Sequence, residues 1–250
     1  MGHRTGHSPL ELRLFRTVDH ECGYFDDRLS QDLVIDPNDP ALAERFEHAL
    51  GWGFRRSGNI VYRPDCATCQ LCRPVRIPVD TFKPNRAQRR CLQRNANIDI
   101  RVCPAERTDE QFSLYRKYLA SRHVDGGMDR HNETDFDQFL ISDWTDTKFL
   151  EMRDNGKLIG VAVTDRVPDA LSAVYTFFDP EYSKNSPGTF GILKQIELAR
   201  DEGRPYLYLG YWIANHPKMD YKKNFTNVET LLGRHWVPLS DTQFWQGDME

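Results

Sequence analysis

The stretch KFLEMRDNGKLIGVAVTDRVPDALSAVYTFF, residues 148–178, decides the fold. Three runs rich in β-branched and aromatic residues, 148–152, 158–165 and 171–178, read as strands. Asp154-Asn155-Gly156 joins the first two with a hairpin signal, because Asn and Gly accept the positive φ of a tight turn. Upstream, Thr108 caps an expected helix over 108–122 with Phe112, Tyr115, Tyr118 and Leu119 at helical spacing, and a second helix is expected over 135–141. Downstream come an expected helix over 188–201, ended by Gly203, and an aromatic strand over 206–211.

Two helices, three antiparallel strands, a helix and another strand is the element order of a GNAT-like N-acyltransferase core. The expected fold class is therefore α+β: a cysteine-containing N-terminal region plus this core, with a mixed, mainly antiparallel sheet flanked by helices. The first half predicts a helix over 39–50, with Asp39 as its cap and Pro40 inside it, and a strand over 59–62. A basic helix opened by Pro84-Asn85 follows to residue 95, then a strand over 98–102. A polar joint at 104–108 sets the expected boundary, giving a basic N-terminal domain over 1–105 and a transferase domain over 106–250. The turn from Asp179 to Thr189 has one glycine, Gly188, and two early carboxylates, a poor cradle for the pyrophosphate of coenzyme A.

The chain has 250 residues, 39% of them hydrophobic and 28% charged, which excludes collagen-like and wholly disordered classes. No apolar run approaches the roughly 20 residues of a membrane span. The opening MGHRTGHSPLELRLFRTVDH lacks the hydrophobic centre of a secretory signal, so a cytoplasmic location is expected. The net charge of -4 hides an uneven distribution: residues 51–107 carry 12 basic and 4 acidic side chains, residues 1–50 carry 5 and 10. Arginine supplies 11 of those 12 cations, and its planar fork suits phosphate oxygens. A solvated helix face is the bland alternative to a phosphate-rich partner.

Cys66-Ala-Thr-Cys69-Gln-Leu-Cys72 is the sharpest local motif. Two overlapping Cys-x-x-Cys steps bring thiolates to one point, as zinc and iron-sulfur sites require, and Cys22 is available as a fourth ligand. The alternative is four free thiols. Cys91 and Cys103 read as packing residues, and His123 and His131 as surface residues. The strand Tyr206-Leu-Tyr-Leu-Gly-Tyr-Trp212 is followed by Lys218, Tyr221 and Lys222, an alternation able to stack on a base and neutralise phosphates. No hydrolase triad, phosphate-binding P-loop or zinc-protease helix is present.

Together these segments resemble the bacterial aminoacyl-tRNA–protein transferases that add leucine to proteins beginning with Asp or Glu. The resemblance covers nearly the whole chain. It rests on Cys22-Gly-Tyr24, Gly53-Phe-Arg-Arg-Ser-Gly-Asn59, Tyr62-Arg-Pro-Asp-Cys66 through Cys72-Arg-Pro-Val-Arg-Ile77, Tyr175-Thr-Phe-Phe-Asp-Pro180, and the aromatic strand with Lys218-Met-Asp-Tyr-Lys222. Two positions depart from the pattern: His216 stands where cysteine is frequent, and Ser186-Pro187-Gly188 replaces Ser-Leu-Gly. The resemblance implies leucyl-tRNA as donor, a protein N-terminus bearing Asp or Glu as acceptor, and a role in N-degron (N-end rule) degradation. Eukaryotic relatives use arginyl-tRNA and are associated with an iron-sulfur cluster near the N-terminus.

An aminoacyl ester is already activated, so this chemistry needs no cofactor and no covalent nucleophile. An α-amino group with a pKa near 8 is roughly a tenth neutral at pH 7, so a general base adds modestly and positioning dominates. The acidic side chain of the acceptor needs a cation; the candidates, in order, are Arg76, Arg55 and Arg56. The ester oxyanion needs donors, for which the amides near Gly188 and the hydroxyls of Tyr175 and Tyr208 are candidates. Arg86, Arg89, Arg90 and Arg94 are expected to track the tRNA acceptor stem, and Lys218, Tyr221 and Lys222 are further tRNA-binding candidates. The candidate metal ligands are Cys22, Cys66, Cys69 and Cys72. The choice of leucyl over arginyl donor comes from the resemblance and the chain length, and no leucyl pocket or oligomeric state is legible. Two readings from other classes compete: a non-catalytic RNA-binding module with a structural zinc knuckle, and a coenzyme A-dependent acetyltransferase, which the Gly-poor turn disfavours.

Overall fold

The computed structural model describes residues 12–122 and 130–241. Within them the fold is mixed α+β with a mainly antiparallel sheet. A small sheet, in the order β1-β4-β6-β5, is built from β1 (Leu14–Arg16), β4 (Asp32–Ile35), β6 (Ile60–Pro64) and β5 (Arg55–Ser57). β2 (His20–Glu21) and β3 (Leu29–Ser30) form a separate ribbon, and α1 (Leu42–Gly51) buries Leu42, Phe46, Ala49 and Leu50 beside the small sheet.

The large sheet runs β14-β13-β7-β12-β11-β10-β9-β8. Its centre is the three expected strands, β9 (Asp146–Asp154), β10 (Lys157–Val167) and β11 (Ala170–Phe178), with β12 (Tyr206–Trp212) beside them. The hairpin at 154–156 forms with Asn155 and Gly156 both at positive φ. One face is covered by α5 (Pro187–Asp201) and α2 (Arg86–Arg94), around Ile159, Ala162, Leu207, Phe190 and Ile196. The other is covered by α3 (Asp109–Arg122) and α4 (Glu133–Leu140), around Val161, Val163, Tyr115 and Phe136.

Two findings change the expected organisation. β7 (Arg73–Pro78) and β8 (Ile98–Pro104) precede the expected boundary at 105, yet both are strands of the large sheet. That boundary therefore does not separate independent sheets. Residues 73–78 carry no strand signal beyond Val75 and Ile77, and two prolines mask the rest. β13 (Glu229–Leu232) and β14 (His235–Pro238) extend the same edge beyond the last expected strand.

β11 and β12 are parallel, joined by α5, and they pair only at Ala170–Tyr206, Leu171–Leu207 and Ser172–Tyr208. Beyond those pairs β11 continues to Phe178 and β12 to Trp212 without meeting. The two strands splay into a V whose mouth lies at their C-terminal ends, the place where sheets of this kind open a binding crevice.

Candidate functional site

An open crevice of about 2090 Å³ fills the mouth of this V. Its walls come from both halves of the chain: the loop holding Cys22–Phe25, the cysteine loop and Arg55 on one side, and β11, β12, the end of α3, the start of α5 and residues 217–222 on the other.

Arg55 bridges the V. Its Nη2 donates to the carbonyl of Val174 on β11 at 2.9 Å, in the portion of that strand which β12 does not reach. On the other arm Gly210, at φ +72°, leaves the space the guanidinium fills: a Cβ there would lie 2.8 Å from Nη1. Burial opposes the Arg55 charge, while Tyr62, Tyr24, Tyr211 and Tyr221 support it, and the pKa rises on balance. Among the described residues no carboxylate pairs with Arg55, so a half-buried, permanently charged fork faces the crevice with donor capacity unspent.

The other two candidate cations are not in the crevice. Arg56, next in sequence, points to the opposite side of β5 and is wholly buried. Its Nε and Nη2 each reach Asp165 at 2.6 Å, and it also donates to Gly58 O, Leu140 O and Thr147 Oγ1. Arg76 stands opposite Tyr208 on β12 and Glu229 on β13, so register alone places the three on one face. Its Nε donates to Glu229 Oε2 at 2.7 Å and its guanidinium stacks on Tyr206, 3.7 Å from the ring centre, and on Trp236 at 4.4 Å. Neither Arg56 nor Arg76 lines the crevice. Tyr208 goes with Arg76, buried behind the sheet, because strand alternation puts it on the face opposite Leu209.

Tyr175 and Gly188 are in the crevice. Tyr175 is half-buried, and burial pushes its hydroxyl pKa well up, so it is a donor and never a base at neutral pH. Gly188 and Thr189 lie in the first turn of α5, where backbone N–H groups have no partner within the helix and Pro187 has none to offer. Their open donors and the helix dipole favour negative charge at this spot. Arg122, at the end of α3, also lines the crevice, bonds the Tyr118 hydroxyl and lies 5.9 Å from the centre of the Phe178 ring. Nothing in the sequence singled out Arg122: a basic residue in the last turn of a helix is ordinary.

The four exposed arginines of α2, Arg86, Arg89, Arg90 and Arg94, form no ion pair with any described residue. Gln88 and Cys91 hold the opposite face of the helix inward, and a capping box between Asn85 and Gln88 fixes its start. α2 is tied to the start of α5: Asn95 Nδ2 donates to Asn185 O at 2.9 Å, and the Cys91 thiol meets Asn185 O and Ser186 O. The arginines thus stand beside the turn that borders the crevice. Lys218 and Tyr221 are exposed at its rim, whereas Lys222 is buried in its wall.

Cys22, Cys66, Cys69 and Cys72 all line the crevice. Burial, then the neighbouring Cys22, Cys69 and Cys66 thiols, push Cys72 up to about 12. The donor set suits a soft metal, but among the described residues no three His, Cys, Asp or Glu side chains converge on ligand geometry. Cys91 is buried in the core and Cys103 is half-buried. His131, expected at the surface, is half-buried with its Nδ1 2.8 Å from the Tyr115 hydroxyl; His123 lies outside the described residues. His216 is wedged between Tyr24 and Phe25, with its Nε2 3.2 Å from Tyr24 O.

Comparison with known proteins gives this crevice its context. The family model described as the N terminus of arginine-tRNA-protein transferase matches residues 20–90, and that of the C terminus matches 110–232. A protein of Stenotrophomonas maltophilia named aspartate/glutamate leucyltransferase is 55% identical over 232 residues, 90% of this chain and 92% of its own. A Xylella fastidiosa protein of the same name is 54% identical over 93% of this chain and 94% of its own. One from Xanthomonas axonopodis is 56% identical over 90% and 92%. Among solved structures, the C-terminal domain of a putative lysylphosphatidylglycerol synthetase from Agrobacterium fabrum aligns with a TM-score of 0.46 at 14% identity, over 68% of this chain and 51% of that one. FemX aligns with a TM-score of 0.45 at 9% identity, over 82% and 80%. The chain belongs to the aminoacyl-tRNA–protein transferase family, among the aspartate/glutamate leucyltransferases.

Proposed function

We propose that this enzyme transfers leucine from leucyl-tRNA to the α-amino group of proteins beginning with Asp or Glu, within a GNAT-like N-acyltransferase core. The observation that carries the reading is Arg55: a half-buried guanidinium without a carboxylate partner among the described residues, held at the mouth of a crevice to which both halves of the chain contribute. An acceptor entering with an acidic first side chain supplies the missing anion, and its α-amino group then lies within the V.

The ester carbonyl of the donor sits at the start of α5, where the amides of Gly188 and Thr189 receive the oxyanion and Tyr175 is a further donor. The unpaired arginines of α2 take the acceptor-stem phosphates, with Lys218 and Tyr221 at the crevice rim taking the end of the tRNA. Positioning of two reactants accounts for most of the rate, since the ester is activated before it arrives. The four cysteines hold no assigned step. Among the described residues no helix is long and apolar enough to cross a membrane. Leucyl-tRNA is a cytoplasmic reactant, so the proposed reaction implies a cytoplasmic enzyme, for which leucine at a new N-terminus marks a protein for degradation.

The test is direct. Purified protein is incubated with radiolabelled leucyl-tRNA or arginyl-tRNA and with peptides beginning with Asp, Glu or Ala. Leucine is expected on the Asp and Glu peptides only. Transfer of arginine instead overturns the donor, and RNA binding without transfer leaves a binding module.

A further inference from the structure

Lys222 is placed unlike any other lysine of the crevice. The residue is 5% exposed, yet it lines the crevice wall. Its Nζ donates to the Tyr211 carbonyl and lies 3.9 Å from Met219 Sδ. No carboxylate among the described residues pairs with it. Three charged or titratable groups face it: Arg55 from β5, which repels its positive charge, the Cys72 thiol from the cysteine loop, which favours it, and the neighbouring Tyr221, whose ring centre lies 6.0 Å from Nζ. Burial first, then Arg55, bring the ammonium down to about 7. A lysine so buried cannot follow solvent-facing phosphates, and a hydrocarbon side chain would fill the site at lower cost than an unpaired ammonium.

We propose that Lys222 is the proton-transfer residue of the leucyl-transfer reaction, a role that rests on the reading above. Its neutral amine takes a proton from the acceptor α-ammonium. The freed nitrogen pair attacks the ester carbon, the C–N bond forms, and the carbonyl π pair moves to the oxygen at the start of α5. Lys222 gives its first proton to water in the crevice and takes a second from the attached nitrogen. The oxyanion pair then re-forms the carbonyl, the C–O bond to the tRNA 3′ oxygen breaks, and that oxygen leaves with the bonding pair and takes the proton from Lys222. One proton is liberated for each leucine transferred. Freeing the ground-state amine is worth only the small factor set by a pKa near 8, but the nitrogen must lose a second proton and the departing oxygen must gain one. A group able to do both must titrate near neutrality.

The experiment follows single-turnover leucine transfer from leucyl-tRNA to a saturating Asp-initiated peptide, from pH 5.5 to 9.5, in the wild type, Lys222→Arg and Lys222→Met. The wild-type rate is expected to fall below a break near pH 7 that stays in place when the peptide is exchanged for one whose α-amino group has a different pKa. Both variants are expected to lose about 100-fold or more at pH 7.5, in the range of general acid–base catalysis, and to lack that break while tRNA affinity and peptide KM stay within about threefold of the wild type. Lys222→Arg keeps the charge and the reach, so a variant within threefold of the wild-type rate overturns the proposal, as does a break near 7 that survives either substitution. Should both variants fail to fold, the wild-type profile decides: no peptide-independent break means no such role. A wild type that transfers no leucine overturns the transfer reading itself, an outcome distinct from active enzyme without the break.

Discussion

Gly210 and Arg55 occupy one space: φ at residue 210 is +72°, and a Cβ there would sit 2.8 Å from Arg55 Nη1. The glycine interrupts the pairing of β12 with β7 between Tyr208 and Tyr211, and the guanidinium lies across it. Gly210→Ala is expected to cost about 1–2 kcal/mol in stability from the left-handed backbone, and to displace Arg55 from Val174 O. The kinetic signature is a raised KM for the Asp peptide with leucyl-tRNA affinity unchanged. An alanine variant with wild-type peptide KM separates the glycine from the acceptor site.

Arg55 and Arg56 are neighbours in different surroundings, the first lining the crevice and the second buried against Asp165. Arg56→Ala leaves Asp165 charged and buried, with the Thr147 hydroxyl still donating to it, and breaking such a pair costs about 3–5 kcal/mol; thermal melting measures it. Arg55→Ala is expected to melt near the wild type and to lose about 30-fold or more in kcat/KM for Asp peptides, the low end for removing one partner of a buried charge pair. Equal activity toward Asp and Ala peptides in that variant is the corroborating result.

The core of the fold was legible because period-2 patterning and turn chemistry agree over 148–178, and every strand expected there forms within a few residues of its place. The site was less legible, and the arginines show why. In Gly53-Phe-Arg-Arg-Ser57 the two guanidiniums differ only by one step of strand alternation, and deciding which faces the crevice requires knowing which side of β5 meets Asp165, 109 residues later. Arg76 looked free because its partners, Glu229 and Trp236, lie on strands that carry little signal of their own. Lys222 shares a motif with exposed Lys218, and no local pattern distinguishes a buried ammonium from a solvated one.

Arg76 is therefore expected to matter for the sheet rather than for the acceptor. Arg76→Ala removes a charge-assisted bond to Glu229 and the stacking between Tyr206 and Trp236, a loss of about 2 kcal/mol. The Asp-to-Ala preference of the remaining folded protein is expected to stay that of the wild type. Selective loss of acidic acceptors at unchanged stability returns Arg76 to the binding site.

The α2 arginines carry an electrostatic expectation that needs no transfer chemistry. Each phosphate contact to duplex RNA or single strand contributes roughly 0.7–0.9 to the slope of log affinity against log salt. Arg89→Ala with Arg90→Ala is expected to flatten the slope for uncharged tRNA by about 1–2 and leave the rate at saturating leucyl-tRNA unchanged. Fluorescence titration at several salt concentrations checks it; an unaltered slope moves the RNA to another surface.

Stability against pH offers a view of Lys222 that no substrate enters. Its folded pKa, about 7, lies below the value near 10.4 of an unfolded chain. Below pH 7 the side chain is charged in both states and the folded protein bears the full cost of burying it. Between 7 and 10.4 the unfolded chain binds more protons than the folded one, so stability rises with pH; above 10.4 both are neutral and the cost is gone. Tyrosines and thiols titrate in the same range, which makes the comparison with Lys222→Met the informative one. The wild type is expected to gain stability relative to that variant steadily from pH 7 to about 10, measured by urea unfolding. A difference that stays flat across this window means that Lys222 keeps its proton in the folded protein, and an ammonium that never lets go cannot serve as the proton acceptor.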